Sequence, residues 1–396
     1  MTFPPVSESF LRKNLRGKTT PLFIYDARII RAAYRRLCGA LPKGTGVLYA
    51  MKANPHSGVL QFMRRLGAGL DVASSGEIEK GLRAGFPASC MSFAGPGKTD
   101  AELSLAVRKG VGMIQIEAFE EAVRLNDIAR RAGRKVRVGV RVNPRERAAS
   151  PGMKMGGIAG PFGVDEEQLP DFFKKTASLS MLTWKGVHVY STSQILKVSV
   201  IEAEMRRALE IALRVQKLAG GPLEMINLGG GFGIPYFEGD RALDMKELGQ
   251  RLKRLFVKVQ VARSFPRGRF FVESGRYLVG EAGVYLTRIV CRKVSRKKIY
   301  LVTDGGMNHH QSAAGLLGGM FRRNFKMTIL GGRGRTREKV SVAGPLCTPL
   351  DLLARDIRLP MAAAGDILAV FNSGAYALTA SPQEFLSHTQ PKEVMR

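Results

Sequence analysis

The sequence has little negative charge, few cysteines and no long apolar run. It contains 33 aspartate and glutamate residues against 62 lysine and arginine residues, a formal net charge of +29. No stretch of about 18 or more uncharged apolar residues occurs, so a membrane-spanning helix is not expected. The first 18 residues carry charge but no apolar signal-peptide core. These absences predict a cytoplasmic protein without a membrane partner.

The four cysteines lie far apart in the chain, and no CxxC pair occurs. Neither a zinc knuckle nor a redox motif is therefore indicated. The cysteines are expected to be reduced thiols, with three of them in the core. His309 and His310 are adjacent and do not share a helix face, and no glutamate stands at zincin spacing. No metal site is predicted.

The excess of positive charge favours an acidic partner, because its field extends over a Debye length. Nucleic acid, an acidic protein and an anionic membrane surface fit that field, and so does a general adaptation for solubility. Two basic clusters stand out, at 130–135 and 296–298. Neither has interleaved aromatic residues, so nucleic-acid binding by base stacking is not expected.

Short apolar strands alternate with amphipathic helices over the first two thirds of the 396 residues. Strands separated by helices of roughly 10 to 15 residues predict a parallel sheet. About eight such units over roughly 250 residues predict an α/β fold, a closed (β/α)8 TIM-like barrel. After Ser274 strands follow one another with few helices. We expect a barrel at 27–273 and a β-rich, sandwich- or barrel-like domain from 1–26 and 274–396.

Three segments place chemically useful residues at the ends of predicted strands. Lys52 ends an apolar strand in YAMKAN, and partial desolvation makes a lysine nucleophilic at neutral pH. The glycines of LGGGFG let backbone N–H groups approach a phosphate. FVESGR supplies Glu273, which can keep a ring nitrogen protonated, and Arg276, which can pair with phosphate. A surface lysine, a tight turn and a structural ion pair are the plain alternatives.

In their order along the chain, the motifs resemble those of the diaminopimelate and ornithine decarboxylase family. Members of that family are pyridoxal 5′-phosphate (PLP) enzymes with a barrel and a C-terminal β domain. The resemblance runs from about Pro21 to Glu393. It rests on the segments YAMKAN, GLDVASSGE, RVNP, GVHVYSTSQ, NLGGGFGI, ESGR, DGGMN, GPLC and GAY.

The resemblance implies two catalytic residues and a cofactor site. Lys52 would hold PLP covalently, and Glu273 would pair with the pyridine nitrogen. Cys347, from the other subunit of a homodimer with shared active sites, would act at the substrate Cα. The other residues assigned to the cofactor are Asp71, Arg141, Tyr190, Ser193, Gly229, Gly230, Gly231, Gly275, Arg276 and Tyr376.

The roles within that group differ. Asp71 and Arg141 would support the lysine and the ring, and the glycines, Ser193, Arg276 and Tyr376 would surround the phosphate. Tyr190 stands where most relatives have a histidine that stacks on the ring. An aromatic face is kept there, with a different hydrogen bond and charge.

The substrate-binding positions depart from the family pattern. Thr348 follows Cys347 where relatives have an acidic residue for a distal ammonium. His309 and His310 stand where diaminopimelate-type enzymes have an arginine for the distal carboxylate. We expect these three residues to contact the substrate, and free diaminopimelate and ornithine to be poor substrates.

Two stretches, GGMNHHQSAAGLLGG and FLSHTQPKEV, resemble the branch found with exosortase systems and butirosin-type biosynthesis. Butirosin-type members act on an aminoacyl group tethered to an acyl carrier protein, and carrier proteins are acidic. The sequence therefore predicts a PLP-dependent decarboxylase acting on a small amino acid or an aminoacyl carrier protein.

Three alternatives remain open. They are diaminopimelate decarboxylation of the free substrate, amino-acid racemisation on the same fold, and non-catalytic binding of nucleic acid by a basic protein. Cys347 favours decarboxylation, because racemases of this fold use a tyrosine as the second base.

Overall fold

A computed structural model describes residues 6–145, 158–315, 323–332 and 334–396. Their contacts divide them into two compact units. The barrel unit comprises Tyr34–Gly233 and Ala242–Ser274. The second unit comprises the described residues within Met1–Ala33, Ile234–Arg241 and Gly275–Arg396. By contacts, residues 27–33 and 234–241 belong with the second unit, and the expected domain boundaries stay a prediction.

The strands are β1 (Leu22–Tyr25), β2 (Gly46–Ala50), β3 (Gly69–Val72), β4 (Met91–Phe93), β5 (Met113–Ile116), β6 (Val136–Asn143), β7 (Val164–Asp165), β8 (Leu182–Val189), β9 (Met225–Asn227), β10 (Arg269–Ser274), β11 (Gly283–Ser295), β12 (Lys298–Thr303), β13 (Met327–Ile329), β14 (Arg337–Ala343), β15 (Leu352–Pro360), β16 (Ile367–Val370) and β17 (Lys392–Met395). The helices are α1 (Glu8–Leu15), α2 (Ala27–Ala40), α3 (Ser57–Arg65), α4 (Ser75–Arg83), α5 (Asp100–Lys109), α6 (Phe119–Arg131), α7 (Leu169–Thr176), α8 (Val198–Leu218), α9 (Met245–Lys258), α10 (Val261–Ser264), α11 (Arg276–Val279) and α12 (Met307–His310). Among the described residues, no helix combines the length and the apolar character that crossing a bilayer requires.

The barrel unit is a closed parallel sheet. Strands pair in the order β5-β4-β3-β2-β10-β9-β8-β6, and β6 pairs back with β5 to close the ring. In the part of the chain that the structure describes, this ring has eight strands, so the predicted TIM-like barrel is confirmed. All eight strands run the same way. Their carboxyl ends meet at one end of the barrel, which we call the reactive end.

Strand β6 shows how the sequence aims side chains into the barrel. Its valines recur at every second position and are buried. The intervening set includes Gly139, where an added Cβ would collide with the Gln115 side chain, and Arg141. Because strand side chains alternate between faces, Arg141 lies on the same side as Gly139, towards the interior.

The second unit is built on a mostly antiparallel sheet. Its strands pair in the order β13-β16-β11-β12-β14-β15, and β1 lies between β11 and β17. The N-terminal β1 thus joins a sheet formed by the C-terminal third of the chain. The core beneath it contains Leu22, Ile24, Val284, Leu286 and Ala369, and all five are fully buried, at 0% exposure. The predicted β-rich second domain is confirmed.

The expected burial of the cysteines is wrong. All four are free thiols and all four are exposed. Cys38 lies on α2, Cys90 ends a 3-10 turn before β4, and Cys291 lies in the outer half of β11, whose residues from Val290 onwards are exposed. The apolar character of a cysteine did not predict its position in these elements.

A two-residue turn joins β11 to β12. Ser295 pairs with Lys298, and the residues between them, Arg296 and Lys297, have φ of 45° and 65°. This is the left-handed conformation of a type I′ turn, which favours Asn-Gly over residues with long side chains. Two exposed cations therefore occupy backbone positions that disfavour them.

Replacing Arg296 with Asn and Lys297 with Gly should stabilise the protein, because the new residues suit the positive φ. We expect a gain of about 1 kcal/mol in the free energy of unfolding, measured by denaturant or thermal unfolding. The matched control is Arg296→Ala with Lys297→Ala, which removes the same charges and keeps the strain. An equal gain in both variants would show that charge repulsion is relieved instead.

Candidate functional site

Lys52 lies directly after β2 at the reactive end. It sits in a 3-10 turn, Met51–Ala53, between two buried neighbours, while 47% of its own side chain is exposed. Its Nζ donates a hydrogen bond of 3.2 Å to Oδ2 of Asp71, whose side chain is 4% exposed. The lysine is therefore reachable from solvent and paired with a buried carboxylate of the neighbouring strand β3.

Tyr190 follows β8 and approaches the same lysine. The Lys52 Nζ lies 6.0 Å from the centroid of the Tyr190 ring, at the outer limit of a cation–π contact. The structure thus brings together the residue expected to hold the cofactor and the aromatic residue expected to stack on it. Stacking itself stays a prediction.

Glu273 lies near the end of β10 and is 4% exposed. Asn227, at the end of β9, donates a 2.7 Å hydrogen bond to Oε1 of Glu273, and Nε2 of His188 lies 2.9 Å from the same oxygen. Among the described residues, nothing donates to Oε2. One carboxylate oxygen of Glu273 is therefore available to a ligand group that carries a proton.

The two buried carboxylates differ in their proton affinity. Burial and the charge of Glu273 raise the pKa of Asp71, although Lys52 opposes them. Burial also raises the pKa of Glu273, but His188, Lys52 and Arg141 outweigh it and lower that pKa to about 2. Glu273 is therefore anionic at neutral pH, and Asp71 is the better proton acceptor.

The glycine loop follows β9 and packs closely against its neighbours. Gly229 and Gly231 have φ of 71° and 76°. An added Cβ at Gly229, Gly230 or Gly231 would collide with a backbone carbonyl oxygen, of Val189, Glu273 or Thr192 respectively. Close packing alone thus requires the three glycines, which is the plain structural explanation.

The loop also offers unused hydrogen-bond donors. The Gly229 N–H donates to Oδ1 of Asn227 at 3.0 Å, whereas the N–H groups of Gly230 and Gly231 donate to no residue that the structure describes. Such consecutive N–H groups form a concave anion site. These donors, unlike close packing, point to a ligand.

Buried hydroxyl groups near these strand ends are also unsatisfied. Thr192 and Ser274 are 3% and 4% exposed, and neither hydroxyl has a partner among the described residues. Buried polar atoms normally have a partner, so an orphan calls for an explanation. Ser193, in the segment after β8, is half-buried. The donor set of hydroxyls and N–H groups suits a phosphate.

Arg141 belongs to a buried ion pair. Its Nη1 lies 3.0 Å from each carboxylate oxygen of Glu117, which follows β5. The same carboxylate accepts hydrogen bonds from the N–H groups of Gly95 at 2.6 Å and Gly163 at 3.1 Å. Glu117 thus joins Arg141 to the backbone at Gly95 and Gly163, and the supporting role of Arg141 towards the lysine and the ring stays a prediction.

In the second unit, Arg276 follows Gly275 and lies between two aromatic rings. Its guanidinium is 4.6 Å from the Tyr376 ring centroid and 5.4 Å from that of Tyr236. Its Nη1 also donates to the Tyr236 hydroxyl at 2.9 Å. Tyr376 itself has φ of 53°, which is unusual for a tyrosine. The phosphate-binding roles of Gly275, Arg276 and Tyr376 stay predictions.

Cys347 and Thr348 lie in the loop between β14 and β15. Cys347 is exposed. The buried Asp351 shapes the loop, because it accepts hydrogen bonds from the N–H groups of Met307 at 2.6 Å and Leu346 at 2.8 Å. The Thr348 hydroxyl accepts a 3.3 Å hydrogen bond from the Leu350 N–H. The thiol is thus presented to solvent on an ordered loop.

His309 and His310 are completely buried in the second unit. His309 contacts the Tyr285 hydroxyl at 3.2 Å, and His310 contacts the Ser373 hydroxyl at 2.9 Å. Burial lowers the pKa of His309 to about 4 and that of His310 to about 3, so both rings are neutral at pH 7. Their contact with the substrate stays a prediction.

Sequence reasoning missed several residues at the reactive end, namely Glu117, His188, Thr192, Asn227 and Ser274. A usable signal existed for two of them. His188 stands two positions before Tyr190, so both lie on one face of the strand end, and Asn227 stands two positions before Gly229. Among the described residues, no group of three or more His, Cys, Asp or Glu side chains is placed to hold a metal ion.

Comparisons with known proteins identify a family and individual relatives. A family described as "Pyridoxal-dependent decarboxylase, pyridoxal binding domain" matches residues 27–280. The L-glutamyl-[BtrI acyl-carrier protein] decarboxylase of Niallia circulans is 38% identical over 95% of this chain and 89% of its own. The diaminopimelate decarboxylase of Methanothermobacter thermautotrophicus is 33% identical, over 95% of this chain and 86% of its own.

A solved structure extends the likeness to three dimensions. The crystal structure of diaminopimelate decarboxylase from Helicobacter pylori, complexed with L-lysine, superposes with a TM-score of 0.86. It is 25% identical and covers 98% of this chain and 94% of its own. The likeness therefore covers the strands of both units.

Proposed function

The chain belongs to the pyridoxal-dependent decarboxylase family and is a carboxy-lyase of an amino acid or amino-acid derivative, and on this premise we propose that its substrate is a glutamyl group on an acyl carrier protein. The observation that carries the proposal is the similarity, over nearly the whole chain, to a decarboxylase of such a substrate. The neutral Thr348 beside Cys347 is the second support.

The chemistry of a tethered substrate explains why a neutral residue fits there. Loss of CO₂ from Cα requires a free α-carboxylate and a free α-amine, so a glutamyl group has to be attached through its side-chain carboxyl. Its distal end is then uncharged. An acidic residue at position 348 would lose its own hydration beside that end and gain no cation in return, whereas a threonine hydroxyl avoids this cost.

We infer that the reactive end holds pyridoxal phosphate. Lys52 would hold it covalently, Oε2 of Glu273 would pair with its ring nitrogen, and the unused donors of Gly230 and Gly231 would bind its phosphate with the Thr192, Ser193 and Ser274 hydroxyls. When bound, this cofactor accepts the electron pair that departing CO₂ leaves at Cα.

The residues around Lys52 then have separate tasks. Asp71 would accept a proton from Nζ of Lys52 across their hydrogen bond, since burial raises the pKa of Asp71 and makes it the more basic of the two carboxylates. The uncharged amine that results is the nucleophilic form of lysine. Glu273 stays anionic, as its lowered pKa requires, and holds a proton on the group that it contacts.

We propose that Cys347 acts in a homodimer. Its exposed thiol would return a proton to the substrate Cα. The second unit carries exposed aliphatic and aromatic side chains that suit a protein contact. They are Val290, Val294, Leu350, Met361, Phe385 and Leu386. A cytoplasmic location stays a prediction.

The barrel topology restricts where a carrier protein docks. The basic cluster 130–135 spans the end of α6 and the residues before β6, so it lies at the opposite end of the barrel from Lys52. Side chains fill the interior of such a barrel, and a carrier docked there cannot reach the lysine. The cluster at 296–298 is therefore the one left to test as a docking surface.

Lys52 should carry the cofactor. After borohydride reduction of the holoenzyme and proteolysis, mass spectrometry should find the pyridoxyl label on the peptide that contains Lys52. The matched control is Lys80→Ala, which changes an exposed lysine of α4 and should leave the label in place. A label on another lysine in the wild-type enzyme would contradict the assignment.

Cys347 should act across a subunit interface. Mixing the inactive variants Lys52→Ala and Cys347→Ala under subunit exchange should restore up to about a quarter of wild-type activity. Half of the dimers are then mixed, and each has one complete site. Cys291→Ala is the control, since it removes another exposed thiol of the same unit. No recovery after proven exchange would rule out a shared site.

The substrate proposal predicts a ranking in kcat/KM, measured as CO₂ release. Glutamyl carrier protein should exceed free glutamate and diaminopimelate by at least about tenfold. Thr348→Glu should raise turnover of diamine-forming substrates by one to two decades, because a charge-assisted bond contributes roughly 1.5–3 kcal/mol. Thr348→Gln matches its size without the charge and should not. Efficient turnover of free diaminopimelate by the wild type would refute the proposal.

A further inference from the structure

The end of the barrel opposite Lys52 is densely basic. We call it the basic end; it consists of the last turns of the helices, the connections that follow them, and the first residues of the strands. Many of its cations have no ion pair among the described residues. They are Lys43, Arg64, Arg65, Arg108, Lys109, Arg131, Arg134, Lys135, Lys174, Lys217, Lys258, Arg263, Arg267 and Arg269, and all of them are exposed.

Acidic residues are nearly absent from the same end. The connections that lead into the barrel strands are 41–45, 66–68, 84–90, 110–112, 132–135, 177–181, 219–224 and 259–268, and the only acidic residue in them is Glu224. Its carboxylate lies 2.8 Å from Arg137 and 3.6 Å from Lys185, so it is already paired. The positive charge of this end is therefore not neutralised locally.

Helix stability explains only part of this distribution. A cation in the last turn of a helix interacts favourably with the helix dipole, which accounts for residues such as Arg131 and Lys258. Lys43, Lys135 and Arg267 lie beyond the helix ends and gain little from it. Their charges add to the surface field without a structural task.

The arrangement of the charges selects a flat partner. The strands form a closed ring, so the connections that lead into them, and the cations that they carry, are distributed around the whole end. The two aromatic residues of these connections, Phe86 and Phe265, are buried, so base stacking has no platform. At the end of α9, next to Lys258, Val257 is 79% exposed, which suits a surface that accepts an apolar side chain.

We propose that the basic end binds the surface of an anionic lipid bilayer. This binding is peripheral and independent of the substrate, and it revises the sequence-based expectation of no membrane partner, which rested on the lack of a spanning helix. Bound in this way, the barrel turns the end with Lys52 away from the lipid. Electrostatic attraction of this kind falls off within a Debye length and weakens with salt.

Vesicle co-sedimentation of the full-length holoenzyme tests the proposal. Vesicles of phosphatidylcholine with 30% phosphatidylglycerol should bind the wild type at about 0.1 M salt and release most of it at about 0.5 M, as screening demands. Vesicles of phosphatidylcholine alone should bind it at least tenfold more weakly. No preference for the anionic vesicles would overturn the proposal.

Two triple variants with the same change in net charge distinguish binding by the basic end from binding by net charge alone. Arg131→Glu, Lys135→Glu and Arg267→Glu together should weaken vesicle binding at least tenfold. Arg296→Glu, Lys297→Glu and Lys298→Glu together change the net charge equally and should weaken it less than threefold. Equal losses would overturn the proposal, because net charge would then suffice, and so would tighter binding of a DNA duplex than of vesicles at the same salt.

The first triple variant should have the same unfolding temperature and the same rate of CO₂ release as the wild type, because its substitutions lie away from the reactive end. If the first triple variant unfolds, Val257→Asp takes its place and should weaken vesicle binding at least threefold. Its control is Val294→Asp, which changes another exposed valine, in the second unit. Equal binding by both would overturn the proposal. The kcat/KM ranking of substrates is a separate measurement, so the substrate proposal can fail while lipid binding holds, and the reverse.

Discussion

Two buried carboxylates, Asp71 and Glu273, govern the reactive end of the barrel. An uncompensated charge removed from water costs several kcal/mol, so each carboxylate needs partners from neighbouring strands. Lys52, after β2, pairs with Asp71 of β3, and His188 and Asn227 approach Glu273 of β10. Because the partners come from different strands, the pairing of neighbouring strands is what keeps the charges balanced.

Asn227 extends this balance to the glycine loop. Its side-chain amide donates to Glu273 while its carbonyl oxygen accepts from the Gly229 N–H. One side chain thus fixes two positions. They are those of a carboxylate suited to a ring nitrogen and of N–H groups suited to a phosphate. The glycines let the loop lie against the carbonyl of Glu273, where any Cβ would collide. Packing and ligand binding therefore require the same residues.

Apolar strands next to amphipathic helices gave a periodic signal, whereas a very short strand and a charged one did not. β2 and β5 are examples, since each is an apolar run next to an amphipathic helix. β4 has three residues, too few to show a period, and β15 carries charged residues in LLARDIRLP and pairs irregularly with β14. In both cases the hydrogen bonds of a neighbouring strand, which the local sequence does not encode, define the element.

The site was predictable where a residue type is tied to a motif, as for Lys52 in YAMKAN. It was not predictable where burial decides. His309 and His310 look available for a ligand, yet they lie in the core of the second unit as neutral rings. His188 is one of several polar residues of β8, and only the register of β8 beside β9 and of β9 beside β10 brings it to Glu273. Motifs identify which residues can take part in the chemistry, whereas strand register and burial determine where those residues lie.

The same distinction applies to charge. A net charge of +29 indicates attraction to anions but not where they bind. The parallel barrel indicates where anions bind, because every connection from a helix to a barrel strand lies at the end opposite the reactive lysine. The anionic carboxylates near Lys52 and the cations around the basic end are therefore held apart by the length of the strands. Screening over about one Debye length, some 8–10 Å in physiological salt, separates the two fields further. A partner attracted to the basic end thus binds at the opposite end of the barrel from Lys52, Asp71 and Glu273.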